Sequence, residues 1–204
     1  MPSPRLQTVI LLSIIVLCSC LYEKPQKEIV SNDQFGIELT LPYTLMIIPT
    51  IEKERLNEQG NRALSEVVQD KRIDTWTTIL QAKRGFQNNY LAIASSYYDS
   101  ELHGDDYEKQ KSNRFQGNRL ILEKKGGVTI DEKRYFDDID GVEFDCQEIK
   151  IEATENKKLL GFMKTFEKRY ANNDLLIISI TAKNESNYKF LNQVLDSIKL
   201  NRKL

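Results

Sequence analysis

The chain has 204 residues, a net charge of −1 and 29% charged side chains. This length suits one domain of ordinary size with a hydrophobic core. The composition, with 40% hydrophobic residues, nine glycines and five prolines, excludes disorder throughout the chain. The even charge balance gives no reason to expect nucleic acid as a partner. Cys18 and Cys20 stand together near the N-terminus and only Cys146 lies in the body, which excludes a disulfide framework.

The N-terminus has the layout of a secretory signal peptide, because Arg5 precedes a short apolar stretch at residues 9–17. The sequence Leu17-Cys18-Ser19-Cys20 follows, and it resembles a lipobox: an aliphatic residue, two small residues and the cysteine that receives diacylglycerol. We therefore expect a bacterial lipoprotein in which residues 1–19 are removed and Cys20 is acylated, so that lipid anchors the protein to a membrane.

Two alternatives stay open for this segment: an uncleaved membrane helix, and ordinary signal cleavage without lipid. Residues 6–22 carry no charge but number only 17, short of the ~20 apolar residues that a spanning helix needs. Residues 20–33 are predicted to form a polar tether. By analogy with enterobacterial sorting, Leu21 in place of aspartate favours the outer membrane, on its periplasmic side, if the host is Gram-negative.

The globular domain is predicted at residues 34–204, and the pattern of its first half is uneven. Residues 35–42 alternate apolar and polar side chains and predict a strand that ends at Pro42. Residues 43–70 leave alternatives open. Within them, a strand extension is predicted at 45–48, and residues 52–70 form either a helix interrupted by Gly60 or a segment with a strand at 64–68. After residue 70 we predict a hairpin of 76–83 with 90–98 and a helix at 105–117. Two short strands, at 120–123 and 128–132, are predicted around Gly126-Gly127.

The second half predicts three long antiparallel strands, at residues 142–153, 159–170 and 175–182. The last is apolar on both faces, which suits a central position in a covered sheet. In the first strand the apolar phase changes, and one extra residue near Gln147–Glu148 would reconcile the two halves, so a bulge is expected there. A closing helix is predicted from about Ser186. Its apolar stripe comprises Tyr188, Leu191, Leu195 and Ile198.

This order of elements resembles the PsbP-like family, which includes many bacterial lipoproteins. The resemblance rests on three segments: Phe35-Gly-Ile-Glu-Leu-Thr-Leu-Pro42, Asp140-Gly141 before a long strand, and the ending Phe190-Leu-Asn-Gln-Val-Leu-Asp-Ser-Ile-Lys-Leu200. Residues 50–70 look longer than in the family, and the usual tryptophan after the proline is absent. The resemblance implies an α+β fold, an antiparallel twisted sheet with helices packed on its faces. Family members are mostly accessory, assembly or binding proteins without a shared catalytic motif.

Three places carry residues suited to chemistry, and each has a plainer interpretation. His103 lies near carboxylates, but no second histidine exists to complete a metal site. Asp137-Asp138-Ile-Asp140-Gly141 fails the calcium-loop pattern and is read as an acidic turn before a strand. Cys146 shares the parity of Val142 and Phe144 and is read as a core residue.

We therefore expect no catalytic, cofactor-binding or metal-binding residues, and no cofactor. The predicted function is that of a non-enzymatic binding or accessory protein of the bacterial cell envelope. Its expected partners are the membrane, through the lipid on Cys20, and an envelope protein. Two alternatives are an envelope hydrolase with a site built from distant residues, and an immunity-type partner of one envelope protein. The pairs Tyr97-Tyr98 and Arg169-Tyr170 are candidates for a binding surface or for simple packing.

Overall fold

Alternating apolar side chains build two antiparallel sheets with helices against them. A computed structural model describes residues 27–65, 76–85, 89–100, 106–124 and 126–201. Its strands are β1 (Glu28–Asn32), β2 (Ile37–Leu41), β3 (Leu45–Ile47), β4 (Thr77–Arg84), β5 (Tyr90–Tyr97), β6 (Val128–Ile139), β7 (Val142–Ala153), β8 (Leu159–Arg169), β9 (Asp174–Ala182) and β10 (Lys199–Leu200). Its helices are α1 (Thr50–Ser65), α2 (Tyr107–Lys124) and α3 (Glu185–Leu195).

The large sheet has seven strands in the order β3-β4-β5-β9-β8-β7-β6, and β1, β2 and β10 form a smaller sheet in the order β1-β2-β10. All pairs are antiparallel. The apolar strand β9 is the middle strand of the large sheet, as its sequence predicts. The α+β fold class, an antiparallel sheet with helices on its faces, is confirmed.

The main core lies between one face of the large sheet and a cover made of α3 and the small sheet. The sheet contributes Phe144, Cys146, Phe166 and Ile178, and the cover contributes Ile37, Leu39, Leu191 and Leu195, all buried. Asn184 caps α3, since its side chain accepts a hydrogen bond from the Asn187 N–H. The predicted closing helix is therefore confirmed, and Leu191 and Leu195 of its predicted stripe are buried; Ile198 joins the same core but lies beyond the end of the helix. The other face of the sheet carries a small cluster of Tyr98, Leu175 and Ile177 and is covered by α2.

The first half of the chain follows several of its predictions. Strand β2, the strand extension at β3 and the β4–β5 hairpin are all present. Of the alternatives for residues 52–70, the helix α1 forms and runs through Gly60, while residues 66–75 lie outside the described part. The stretch predicted as tether contains β1, which pairs with β2 from Glu28↔Leu41 onward. The packed chain therefore begins before the predicted start at residue 34.

Two predicted elements are wrong. The apolar run at residues 120–123 belongs to the last turns of α2 rather than to a strand, because a short apolar run fits either structure. No bulge occurs at Gln147–Glu148, since β6 and β7 pair in one register along their full length. The phase change in β7 instead reflects two covered faces: Cys146 faces the α3 core, whereas Gln147 hydrogen-bonds to the Phe115 carbonyl of α2 at 2.8 Å.

Strict alternation along β4 would place Trp76, Thr78, Leu80 and Ala82 on one face of the sheet, but the structure divides them between two faces. The register of β4 against β5 shifts between Thr78 and Leu80, which marks an irregularity there. Leu80 and Ala82 consequently join the α3-side core, whereas Trp76 packs against the cluster on the α2 side. Within the described residues, no helix combines the length and apolarity that crossing a bilayer requires.

Candidate functional site

Strand β6 forms one outer edge of the large sheet and is the longest uncovered edge that the structure describes. It has 12 residues and pairs with β7 on one side only. Among the described residues, no strand lies along its outer side. Phe136 and Tyr135, in the middle of this edge, are 67% and 36% exposed. An edge strand of this kind offers unpaired backbone groups to a second strand.

The turn after β6 determines which backbone groups face outward. Ile139 pairs with Val142 across a two-residue turn in which Asp140 and Gly141 have φ of 52° and 77°, as the acidic-turn interpretation predicts. In an antiparallel ladder, residues alternate between those bonded to the partner and those turned away. Counting back from Ile139 assigns the even-numbered residues, Phe136 among them, to the outward-facing set.

A polar cleft flanks β6 on the α3 side. We call it the Lys164 cleft; it measures about 280 Å³ and is lined by the β6–β7 turn, β8 and the C-terminal end of α3. The residues that matter most for its chemistry are Asp137, Asp138, Lys164, Asn192 and Asp196. Lys164 is 8% exposed, and its Nζ lies 2.8 Å from Asp137 Oδ2 and 4.6 Å from the centre of the Phe166 ring. The Lys164 ammonium group is therefore buried in this cleft and held by a carboxylate and the face of an aromatic ring.

The groups beside Lys164 are held in protonated form. Tyr135 donates its hydroxyl hydrogen to Glu148 Oε2 at 2.7 Å. Burial and this hydrogen bond raise the pKa of Tyr135, and burial together with Glu148 raises the pKa of Tyr188. Burial raises the pKa of the Cys146 thiol to about 11, although Lys164 opposes the shift. The thiol is therefore protonated at neutral pH, which suits a core cysteine rather than a nucleophile.

The residues predicted from sequence have mostly structural contacts. The Asp138 carboxylate accepts a hydrogen bond from the Gly141 N–H at 2.6 Å, and the Asp140 carboxylate accepts one from the Leu200 N–H at 2.9 Å. Cys146 is 1% exposed, as predicted. His103 lies outside the described residues, as do Cys18 and Cys20. Across the described ranges, no three His, Cys, Asp or Glu side chains are placed to hold a metal ion together.

The pairs Tyr97-Tyr98 and Arg169-Tyr170 do not form one surface. Tyr97 is 57% exposed, whereas Tyr98 is buried and lies under the Arg169 guanidinium at 4.7 Å. Tyr170 packs against Phe35 at a ring distance of 5.5 Å. Three of these four side chains are therefore part of the packing.

On the α2 side, a second groove of about 320 Å³ runs along β6. It is lined by Lys111, Phe115, Arg134, Phe136 and Asp145. The Lys111 Nζ lies 2.8 Å from Asp145 Oδ1, and the Arg134 guanidinium lies 5.6 Å from the Phe115 ring. The β6 edge thus has a polar cleft on one face and a mixed aromatic and charged groove on the other.

Sequence reasoning missed Lys164, Tyr135 and Phe136. Lys164 had a usable signal, because it stands midway between Phe162 and Phe166 on the apolar phase of β8 and so faces the core. No pattern in the sequence marks Tyr135 and Phe136 as edge residues, because only the strand order shows that β6 is an edge.

Comparison with known proteins supports the fold alone. No protein-family model matches the sequence, and no curated protein matches it either. Among solved structures, the chain is similar to cyanobacterial PsbP (CyanoP) from Synechocystis sp. PCC 6803, determined in solution. The match has a TM-score of 0.52 and 10% sequence identity, and it covers 89% of this chain and 96% of that one. The fold is therefore PsbP-like, as the sequence resemblance implies.

Proposed function

We propose that this protein is a lipid-anchored accessory protein of the bacterial cell envelope that binds another envelope protein through the β6 edge. The anchoring part of the proposal rests on the lipobox-like sequence ending at Cys20. The binding part rests on one observation, the uncovered edge of 12 residues with exposed Phe136. A partner strand added there would gain main-chain hydrogen bonds, and the flanking grooves would select its side chains.

A non-enzymatic role agrees with the state of the groups at this edge. The Cys146 thiol is protonated at neutral pH, Lys164 is held by Asp137, and the Asp138 and Asp140 carboxylates accept hydrogen bonds from the backbone. None of these groups is arranged as a nucleophile with its base. Changing His103 to Ala should therefore leave the cellular role intact. A loss of that role in a folded, membrane-bound variant would favour the hydrolase alternative.

The anchor is tested by the mass of the mature N-terminus. We expect acylated Cys20 as the first residue, and we expect Cys20→Ala to leave the membrane fraction or to stall in processing. An unmodified Cys20 or an intact Met1 would contradict the anchor. A tagged chain with Cys20→Ser serves as a second, isosteric control for the loss of the thiol.

The binding edge is tested by photo-crosslinking in intact cells. A photoreactive amino acid in place of Phe136 should capture one envelope protein, and the same amino acid in place of Leu160 should capture none. Leu160 is the matched control because it is 43% exposed but lies on an inner strand, β8. Equal capture at both positions, or none at Phe136, would reject the edge as the binding surface.

The backbone contribution is tested separately. Phe136→Pro removes an outward-facing N–H and should abolish co-purification of the partner from detergent-solubilised membranes. Phe136→Thr keeps that N–H and suits a strand, so it should retain much of the binding. If both variants lose binding, the partner contacts the Phe136 side chain rather than adding a strand; if both keep it, the partner does not bind at Phe136.

A further inference from the structure

Exposed apolar side chains are concentrated at the β3 edge, the end of the large sheet opposite β6. Of the nine large apolar side chains that are exposed in the described residues, four fall within residues 43–51: Tyr43 at 66%, Met46 at 48%, Ile47 at 40% and Ile51 at 83%. We call these four residues the β3 patch. Single exposed apolar residues are ordinary on a protein surface, whereas four within nine residues at one sheet edge suit a site of interaction. Met46 and Ile47 are consecutive in β3, so they lie on the two sides of this edge.

The backbone under the patch is held in place. Leu45 and Ile48 are buried, the Leu45 N–H donates to the Pro42 carbonyl at 2.8 Å, and the Ile48 N–H donates to the Gln81 carbonyl at 2.8 Å. Just after Ile51, Glu52 forms an ion pair with Lys83 at 2.8 Å. The patch is therefore presented by an ordered edge strand and the first turn of α1, so its exposure is a built feature of the fold.

The chain from the predicted lipid anchor enters the domain beside this patch. Glu28, the first residue of β1, lies opposite Leu41, and Tyr43 follows two residues later. Paired Cα atoms are about 5 Å apart, and two residues span at most about 7 Å. The patch thus begins within about 12 Å of Glu28. The eight residues from Cys20 to Glu28 span at most about 28 Å.

We propose that the β3 patch lies against the lipid bilayer in which Cys20 is anchored. This inference rests on the proposed lipid anchor, and it adds a second contact with the same membrane. Isoleucine and methionine side chains enter the apolar boundary of a bilayer, and a tyrosine suits its wet interface. Because the anchor already holds the domain nearby, the patch meets the bilayer at a high effective concentration, and a small apolar area suffices.

This contact would also fix the orientation of the domain relative to the membrane. With the β3 edge against lipid, the β6 edge at the far end of the strand order faces away from the membrane. That orientation presents Phe136 and the Lys164 cleft to the space in which a second envelope protein is met. The two edges of one sheet would then have separate tasks.

The test places an environment-sensitive dye on Ile51→Cys in the full-length, processed protein, reconstituted into vesicles of phosphatidylethanolamine and phosphatidylglycerol. Cys146 is 1% exposed, so the introduced thiol is the one that reacts once residues 1–19 are removed and Cys20 is acylated. We expect the emission to shift to shorter wavelength in vesicles. The matched control is Ala171→Cys in the exposed β8–β9 turn, at the other end of the strands, where no shift is expected.

A second variant checks that the patch causes the shift. Met46→Ser with Ile47→Ser in the Ile51→Cys protein should abolish the shift while lipid keeps the protein on the vesicles; far-UV circular dichroism verifies the fold. If the dye on acylated Ile51→Cys protein behaves like the dye on the Ala171→Cys control, the inference alone is overturned. A shift without vesicles that grows with protein concentration would assign the patch to a second copy and also overturn it. An unacylated Cys20 would overturn the anchor and this inference together.

Discussion

The two faces of the large sheet are covered in different ways. On the α3 face, the helix itself is held by apolar contacts: Leu191, Val194 and Leu195 of α3 are buried against the main core, and the Lys164–Asp137 ion pair is confined to the β6 end of this face. On the α2 face, the helix buries only Lys111, Phe115 and Gly117, and much of its attachment is ionic. Glu167, 1% exposed, binds Arg114 Nε at 3.0 Å and the Tyr107 hydroxyl at 2.8 Å.

The difference separates two kinds of stability. Apolar burial is non-directional and roughly proportional to area, so one substitution removes its own share of buried area and adds the cost of the cavity that it leaves. A buried ion pair stabilises little compared with apolar residues of the same shape, but removal of one partner is costly because the other charge stays buried. The α2 face should therefore be the more sensitive to single substitutions and to pH, although it contains fewer apolar contacts.

The largest expected effect is that of Glu167→Gln. It keeps the shape but removes the charge that pairs with Arg114, and it should lower the free energy of unfolding by about 3–5 kcal/mol. Urea denaturation measures the change. The double variant Glu167→Met with Arg114→Met should lose much less, because neither charge is left behind. A loss below about 1 kcal/mol for Glu167→Gln would show that water or neighbours replace the carboxylate, and the comparison of faces would fail.

The apolar face is examined by Leu191→Ala, which should cost about 3 kcal/mol because it leaves a cavity in a site that is 0% exposed. Lys189→Ala, on the exposed side of the same helix, should change stability by less than about 0.5 kcal/mol. Combined with Glu167→Gln, the two effects should add, because the residues lie on opposite faces of the sheet. A coupling energy well above about 0.5 kcal/mol would show that the faces are not independent.

The same contrast explains which parts of the fold the sequence predicts. The buried residues of the α3 face recur at regular intervals in the sequence. Leu191 and Leu195 have helical spacing, and Phe144 and Cys146 have strand spacing. Periodicity of this kind identifies an element and its buried face together. The strands β7, β8 and β9, their turns and α3 were therefore predictable in order and nearly in extent.

The α2 face was not predictable in this way. A helix that turns Lys111 and Arg114 toward the sheet has no clear apolar stripe, so residues 120–123 looked like a separate strand. Gln147 is 1% exposed because Phe115 and Asn118 of α2 meet it, and without that cover its parity suggested a bulge. Polar partners that meet only in the folded chain leave no periodic signal.

The features of the candidate site also differ in whether the sequence predicts them. The acidic turn at Asp140-Gly141 and the buried position of Cys146 follow from local pattern. The uncovered edge of β6 does not, because edge status depends on strand order rather than on the strand's own residues. The acylation of Cys20 and the envelope location stay predictions from the N-terminal sequence.

A smaller effect is expected at alkaline pH from Tyr107→Phe. Burial and the neighbouring Glu167 raise the pKa of Tyr107 above its ordinary 10.0. As the pH rises above that value, the tyrosine ionises in the unfolded chain while the folded one keeps its proton, so the wild type loses stability. The stability difference between wild type and Tyr107→Phe should shrink by about 1 kcal/mol per pH unit there. A difference that stays constant up to about pH 11 would mean that Tyr107 is not protected from solvent.

The smallest expected effect concerns Glu132, at the outer, more exposed part of the α2 face. Burial alone would raise its pKa, but hydrogen bonds from Gln147 and Arg134 lower the pKa below the ordinary value. A lowered pKa stabilises the folded state above the unfolded pKa of about 4.5, and this contribution is lost as the pH falls through the folded value. Glu132→Gln should therefore flatten the fall of stability below about pH 5, by less than about 1 kcal/mol because the ion pair with Arg134 is partly solvated.

Arg134→Met, which keeps Glu132 but removes one of its donors at 2.6 Å, should flatten the same slope only in part. Denaturation midpoints of the three proteins from about pH 6 downward measure both slopes. A Glu132→Gln profile parallel to that of the wild type would show that Gln147 and Arg134 stabilise the protonated carboxyl equally well, and it would confine the ionic character of this face to Glu167 and its partners.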